Sequence, residues 1–442
     1  INSKKRRTGI GPLLDPAGKM LTGDLEMAGE FNRCFAAAFN RNDNCKSRIP
    51  IDLSNGAKLE TVCFPAELIR HKLAALNPSS APGPDGIHPR TLRECSEELA
   101  MPLSIIFERS MTEGILPRDW KFKKGSRQSA SNYRPINVTS IAGKIMESVI
   151  KDTLMKHLQD NNCLIPSQHG FIPGRSCTTN LIEYLNVVTE AVDDGLSYDV
   201  ILCDFQKAFD KVPFDGMIAK AKAHGICGEL INWITDWTKD RRQRVVLNGA
   251  ESSWECVLSS VVQGSVLGPI LFLIYINCID IAIQAGDMET FVSKYADDTK
   301  LGRVIKNKMD SDKLQAAVDR LVNWCNEWDM SLHPDKCVVW HFGRQNPKHI
   351  YHIGNQNLSA VTGAKDLGVY VSNTCKMSSH INNISIRAHA VLSQVRRATT
   401  IRDSHTFPLI YKSFVRPLLE SAAPVWNPIK REDVITLEKV QR

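Results

Sequence analysis

Two adjacent carboxylates, Asp297 and Asp298, follow an aromatic and a small residue between two strand-like stretches, and no other feature of this chain constrains it more. Phe291 to Tyr295 alternates enough to form a short strand, and Thr299 to Val304 can return beside it. That leaves Ala296-Asp297-Asp298 at the tip of a hairpin. Side by side, the two charges repel. A divalent cation removes the repulsion, and hard oxygen ligands favour Mg²⁺ over softer metals. A solvated Asp-Asp turn is the alternative, because aspartate is a common turn residue.

A second carboxylate lies upstream. Tyr198 to Asp204 reads as a buried strand that delivers Asp204 at its end. Pro213 then opens a helix with apolar spacing through Met217, Ile218 and Ala221 that stops near Gly225. Such an arrangement can bring Asp204, Asp297 and Asp298 together around two metal ions. A two-metal clamp stabilises both the attacking and the leaving oxygen in phosphoryl transfer.

Further blocks stand in a fixed order: Ser80-Ala81-Pro82-Gly83-Pro84-Asp85-Gly86-Ile87, Asn132-Tyr133-Arg134-Pro135-Ile136, Gln168-His169-Gly170-Phe171 with Gly174-Arg175-Ser176, and Asp204 to Pro213. Gln263-Gly264-Ser265-Val266-Leu267-Gly268-Pro269, the Tyr295 tetrad, Lys336-Cys337 and Lys365-Asp366-Leu367-Gly368-Val369 follow. With these the chain resembles, over nearly its whole length, the reverse transcriptase of non-long-terminal-repeat retrotransposons of the jockey and chicken-repeat type. A maturase or telomerase-like polymerase would share the catalytic core but fits the Ser80 and Gln168 blocks less well.

The resemblance implies an α+β right-hand polymerase, with fingers, a palm whose antiparallel sheet carries the Asp-Asp hairpin, and a helical thumb. Residues 1–60 would form a leader, 61–195 the fingers, 196–345 the palm and 346–442 the thumb, truncated at its C-terminal end. The implied reaction is attack of a primer 3′ oxygen on the α-phosphate of an incoming deoxynucleotide, copying an RNA template from a DNA primer at the target. Asp204 and Asp297 would hold two Mg²⁺ ions, for which Mn²⁺ can substitute, with Asp298 a weaker participant. Phe209, five residues after Asp204, would exclude the 2′ hydroxyl; a core Phe at a strand-to-helix corner is the alternative. Gln263 and Gly264 would meet base or sugar, although a tight turn also explains the glycine. Arg134 would meet the triphosphate, Lys336 would protonate pyrophosphate, and Lys123 and Lys124 would contact template or triphosphate unless they are solvated. Asp210 reads as the cap of the helix that follows, and Trp324 and Trp328 as core.

Composition adds context. The chain's 442 residues, 43% hydrophobic, suffice for a sizeable core, and a net charge of +7 fits a polyanionic partner without identifying one. Lys4 to Arg7, the basic loop Lys121 to Arg127, Arg241 to Arg244 and Arg396-Arg397 are candidate backbone contacts, each otherwise a solvated face. Thirteen cysteines without a C-x-x-C pair point to reduced thiols in an intracellular protein, nuclear or cytoplasmic. Lys4 to Arg7 also resembles a nuclear import signal. Ile270 to Ile283 is too short and polar to span a bilayer and reads as one buried helix, so no membrane partner is expected. Helices are also expected at Asp24 to Phe39, near Pro102 to Met111, at Ile141 to Leu158, Ser379 to Thr399 and Thr406 to Leu419.

The chain begins with Ile1 and stops at Arg442 after an amphipathic pattern, as a fragment would. The endonuclease that complete elements carry upstream is then supplied elsewhere. The chain also departs from the family. Between Trp120-Lys121 and Lys123-Lys124-Gly125 only Phe122 remains of a longer strand-like run, Val262 stands where Pro is usual, and Cys278 where Asp is common. Losing most of a finger strand would leave its neighbour's backbone groups unpaired, at about 1–3 kcal/mol for each buried group, or force a register change. The alternative function is therefore a decayed, inactive copy that at most binds nucleic acid.

Overall fold

The computed structural model describes residues 12–40, 49–83, 85–126, 136–398, 403 and 405–441. The chain divides into two compact units: Ile1–Ile165, Gln206–Ile279 and Trp324–Ser331 in the first, and Pro166–Phe205, Asp280–Asn323 and Leu332–Arg442 in the second.

The second unit is built on a 5-stranded sheet in the order Ser359–Val361, Val338–Phe342, Ser197–Cys203, Asp298–Ile305, Phe291–Tyr295. All neighbours are antiparallel except the Ser359–Val361 edge. Ser197–Cys203 is central and covered on both faces, which is why it reads as a continuous apolar run. On one face Val200 and Tyr198 lie opposite Trp340 and Phe342, and the four pack with Leu181, Tyr184 and Val188 of the helix Cys177–Asp193 and with Ile381 and Ala388 of the helix Ser378–Ala398. Each of the buried Val, Leu, Ile and Phe side chains among them contributes roughly 1.5–3 kcal/mol. On the other face the buried Asp199 accepts hydrogen bonds from Asn346 (2.8 Å) and Tyr351 (2.6 Å) and pairs with His341 Nδ1 at 2.7 Å, so its charge is satisfied.

The segment expected as one helix over Thr406 to Leu419 is two, Thr406–Phe414 and Arg416–Glu420. Pro417 lacks the N–H that would continue the first helix and starts the second instead.

In the first unit the expected helices appear as Asp24–Ala36, Ser96–Glu113 and Ile141–Asp160. Met27, Ala28, Phe31 and Phe35 of the first pack on Val245 and Leu247. Trp233 and Trp237 of the helix Gly228–Thr238 are fully buried, their indole N–H groups donating to Ser110 Oγ and Glu147 Oε1, both at 3.0 Å. Trp324 and Trp328 are core, as expected, with Lys220 Nζ 3.4 Å from the Trp328 ring centroid. The Ile270 to Ile283 run is two helices, Gly268–Ile276 and Ile279–Ile283. Between them the Asn277 amide donates to Cys163 O (2.6 Å) and accepts from Ile165 N (2.9 Å), using a polar residue to tie down a neighbouring chain.

Two expectations for this unit are corrected. The basic segment from Lys121 is not a loop, because Phe122–Ser126 is a strand, parallel to Arg242–Leu247 on one side and antiparallel to Ile136–Val138 on the other. The shortened segment therefore does not leave its neighbour unpaired, since its remaining residues take the ladder positions. Among the described residues the cysteines are unbridged, and no helix is long and apolar enough to cross a membrane.

Candidate active site

The hairpin forms where the alternation placed it, with a tighter turn. Asp298 pairs with Tyr295, so Ala296 and Asp297 alone make the turn and Asp298 opens the return strand. Ala296 takes the left-handed φ of 55° that a two-residue hairpin loop demands. Thr299 lies opposite Cys203, the last pair of this ladder, and Asp298 and Asp204 are the next residues at that end of the two chains. The Asp204 charge acts on Asp298 there, and like charges on neighbouring strands repel.

Asp204 is fixed by its backbone. Its N–H donates to Cys337 Sγ (3.3 Å) and its carbonyl accepts from His333 N (2.8 Å). Its carboxylate lies 3.6 Å from Lys336 Nζ. Beside it a cavity of about 240 Å³ is lined by Asp204, Asp298, Lys300, Lys336, Lys365 and Asp366, among others. Lys300 and Asp366 form a buried ion pair at 2.8 Å, with Lys300 also 4.6 Å from the Tyr184 ring centroid.

The charges in this cavity act on Asp298. Burial first, then the charges of Asp297 and Asp366, push its carboxyl up to about 6, with Asp204 adding to the effect and Lys300 opposing it. Protein crowds the carboxyl although the residue remains solvent-accessible, so solvent screens part of this repulsion. Among the described residues no group of three or more His, Cys, Asp or Glu side chains is placed to hold a metal ion. Asp297 lies on the turn and Asp298 opens the return strand, and the charges of both Asp297 and Asp204 act on Asp298. The donor chemistry fits a hard divalent cation, whose charge would relieve the repulsion on Asp298.

The nucleotide-side candidates fall in the first unit. Phe209 sits on the short helix Ala208–Lys211 and stacks on Phe272, with centroids 4.3 Å apart and an interplanar angle of 15°. Its carbonyl accepts from Val261 N at 2.7 Å, which lays the strip before Gln263 alongside it. Gln263 Nε2 donates to Asp210 Oδ1 at 2.9 Å, and Gly264 turns with φ 90°. Ser265 Oγ then accepts from Gly268 N (2.9 Å), while buried Glu147 accepts from Val266 N (2.8 Å). Asp210 is not a helix cap, because Pro213 holds that position before Phe214–Ala223 and makes no side-chain cap bond. Instead its carboxylate orients Gln263. Arg134 lies outside the described residues, and Lys124 is described only as backbone within Phe122–Ser126.

The basic clusters separate by environment. Arg241 is buried against the Trp237 ring, 4.3 Å from its centroid, and Arg244 pairs with Glu251 and lies 4.5 Å from the Trp254 ring centroid. These two are packing residues rather than open phosphate contacts. Burial pushes the Arg241 guanidinium down to about 10. Arg396 and Arg397 end the helix Ser378–Ala398, and Lys4 to Arg7 lie outside the described residues. Lys300 and Asp366 were missed as site residues. Lys300 lies two positions after Asp298, on the same strand face, and that spacing was the available signal.

Residues 122–376 match the family model for reverse transcriptase (RNA-dependent DNA polymerase). The chain is 25% identical over 369 residues to the RNA-directed DNA polymerase from mobile element jockey of Drosophila melanogaster, covering 80% of this chain and 40% of that protein. It is 23% identical over 399 residues to the probable RNA-directed DNA polymerase from transposon BS of the same organism, covering 85% and 43%. Against that organism's probable RNA-directed DNA polymerase from transposon X-element, identity is 23% over 454 residues, covering 96% and 49%. The chain thus spans less than half the length of these relatives.

Proposed function

The chain belongs to the reverse transcriptase family, and from that premise we propose that it is the RNA-directed DNA polymerase module of a non-long-terminal-repeat retrotransposon. Its substrates are an RNA template, a DNA primer at the target and deoxynucleoside triphosphates. The observation that carries this reading is the pair Thr299–Cys203, which brings the ends carrying Asp298 and Asp204 together on one cavity that Lys336 also lines. In the right-hand scheme, 61–195 are fingers, 196–345 palm and 346–442 thumb.

Asp204 and Asp297 would hold the Mg²⁺ ions, with Asp298 as the weaker participant and Mn²⁺ as substitute. Ions held by these carboxylates would supply charge to lower the pKa of the primer hydroxyl and to offset charge on the leaving pyrophosphate. Lys336, 3.6 Å from Asp204, delivers a proton to that leaving group. Phe209, braced by Phe272, gates the sugar, and Gln263, oriented by Asp210, meets the nucleotide. Arg134 would meet the triphosphate, and Lys123 and Lys124 would contact template or triphosphate. Target cleavage is the work of residues other than these.

Primer extension on homopolymer RNA tests the proposal. The parent chain should extend the primer with Mg²⁺ and not with EDTA, while Asp204→Asn and Asp297→Asn abolish extension, since a neutral amide does not replace an anionic ligand. Salt-sensitive primer–template binding without extension by the parent would establish the inactive-copy alternative instead.

A further inference from the structure

The Gln168-His169-Gly170 block has no part in the chemistry above, yet it is built against the turn that carries Asp297. Ser167 O accepts from Lys294 N and Lys294 O accepts from His169 N, both at 2.8 Å, so this segment adds itself to the edge strand of the hairpin. Arg175 holds it there by donating to Gln168 O at 2.9 Å. The Gln168 side chain, 3% exposed, then closes on the turn. Its Oε1 accepts from Ala296 N (2.8 Å) and Gly170 N (2.8 Å), and its Nε2 donates to Ala296 O (3.2 Å). The two N–H donors fix which end of the amide is oxygen, because the flipped amide would set donor against donor.

Ala296 is the residue that most needs holding. It is a non-glycine at φ 55°, a conformation that costs about 1 kcal/mol or more unless its surroundings enforce it. A side chain at position 170 would collide with the Ala296 nitrogen, so only glycine lets the two segments meet.

We propose that Gln168 is a positioning residue for nucleotidyl transfer: its side-chain amide clamps both backbone groups of Ala296 and so sets where Asp297 presents its carboxylate. The role rests on the polymerase reading, but the clamp is measurable without it. Gln168→Ala should speed backbone hydrogen exchange at residues 295–299 by about 10-fold or more as the turn is released, with the helix Ile141–Asp160 unchanged. In extension assays it should lower kcat by about 100-fold and raise the half-saturating Mg²⁺ concentration, with primer–template affinity held. General destabilisation would reduce the active fraction without moving the Mg²⁺ requirement.

Gln168→Glu keeps the volume and both accepted bonds but cannot donate to Ala296 O, and it should retain more activity than Gln168→Ala. Gly170→Ala should reproduce the Mg²⁺ shift with the glutamine intact. Unchanged exchange at 295–299 in Gln168→Ala and Gln168→Glu would overturn the clamp. Faster exchange with an unchanged Mg²⁺ requirement would overturn its catalytic role. Should the parent fail to extend primers at all, the polymerase reading falls and the exchange data still decide the clamp.

Discussion

Replacing Asp298 with Asn should stabilise the metal-free protein while impairing its activity. The carboxyl rises from an ordinary 3.8 to about 6 in the folded chain, because burial, Asp297 and Asp366 all disfavour its charge. A group whose folded pKa is raised stabilises the fold fully below its unfolded value, and that stability is lost as pH rises through the folded value. Near neutral pH the ionised Asp298 is therefore a net cost. The shift corresponds to roughly 3 kcal/mol, and screening of this accessible side chain reduces it to about 1–2 kcal/mol. In EDTA at neutral pH, Asp298→Asn should melt about 2–6 °C above the parent. The gap should narrow as pH falls below about 6 and close below about 4. Added Mg²⁺ should raise the parent's Tm more than the variant's, because the parent offers the additional anionic oxygen. An equal or lower Tm for the variant in EDTA near neutral pH would refute the like-charge account of this cavity.

Three further outcomes are expected. Phe209→Val should admit ribonucleotides while costing about 1–2 kcal/mol of stability through the lost stack on Phe272, and unchanged sugar discrimination in single-nucleotide incorporation would reject the gate. His224 is buried, its Nδ1 donating to Lys220 O at 2.8 Å, and burial pushes it down to about 4. Its contribution is thus present above the unfolded value of 6.5 and lost as pH falls toward 4, so urea midpoints should show a loss of about 2 kcal/mol on going from neutral to about pH 5, and His224→Gln should flatten it. Arg241→Met should leave primer–template affinity and its salt dependence unchanged, whereas joint Arg396→Ala and Arg397→Ala should lower the slope of log affinity against log salt by about 2; a large effect of Arg241→Met would reverse the assignment of this cluster.

The elements legible in the sequence were those with a strong period or a hard chemical constraint. Phe291–Tyr295 alternates enough to read as a strand with the Thr299 to Val304 stretch as its return, and Asp24–Ala36 repeats its apolar residues at helical spacing. What escaped depended on partners distant in the chain. Nothing near Lys121 marks Phe122–Ser126 as a strand, because its ladder comes from Arg242–Leu247 and Ile136–Val138. Asp210 looked like a cap because a helix follows it, and only the fold brings Gln263 to its carboxylate. Arg241 reads as a surface charge until Trp237 is seen against it. In the site, the aspartates were legible by their adjacency, while the Gln168 clamp and the Lys300–Asp366 pair needed the tertiary register.

The central place of Ser197–Cys203 in its sheet has a consequence for synthesis. Leu202 waits for Val338, and Cys203 for Thr299, before either edge of the strand is hydrogen-bonded. On a ribosome adding about 5–20 residues per second, this apolar strand stays unpaired for on the order of ten seconds after it emerges. During that interval its edges can pair with the same strand of a neighbouring nascent chain. Translation that stalls before Phe342 therefore yields a product whose central strand keeps an unpaired edge and is prone to aggregate.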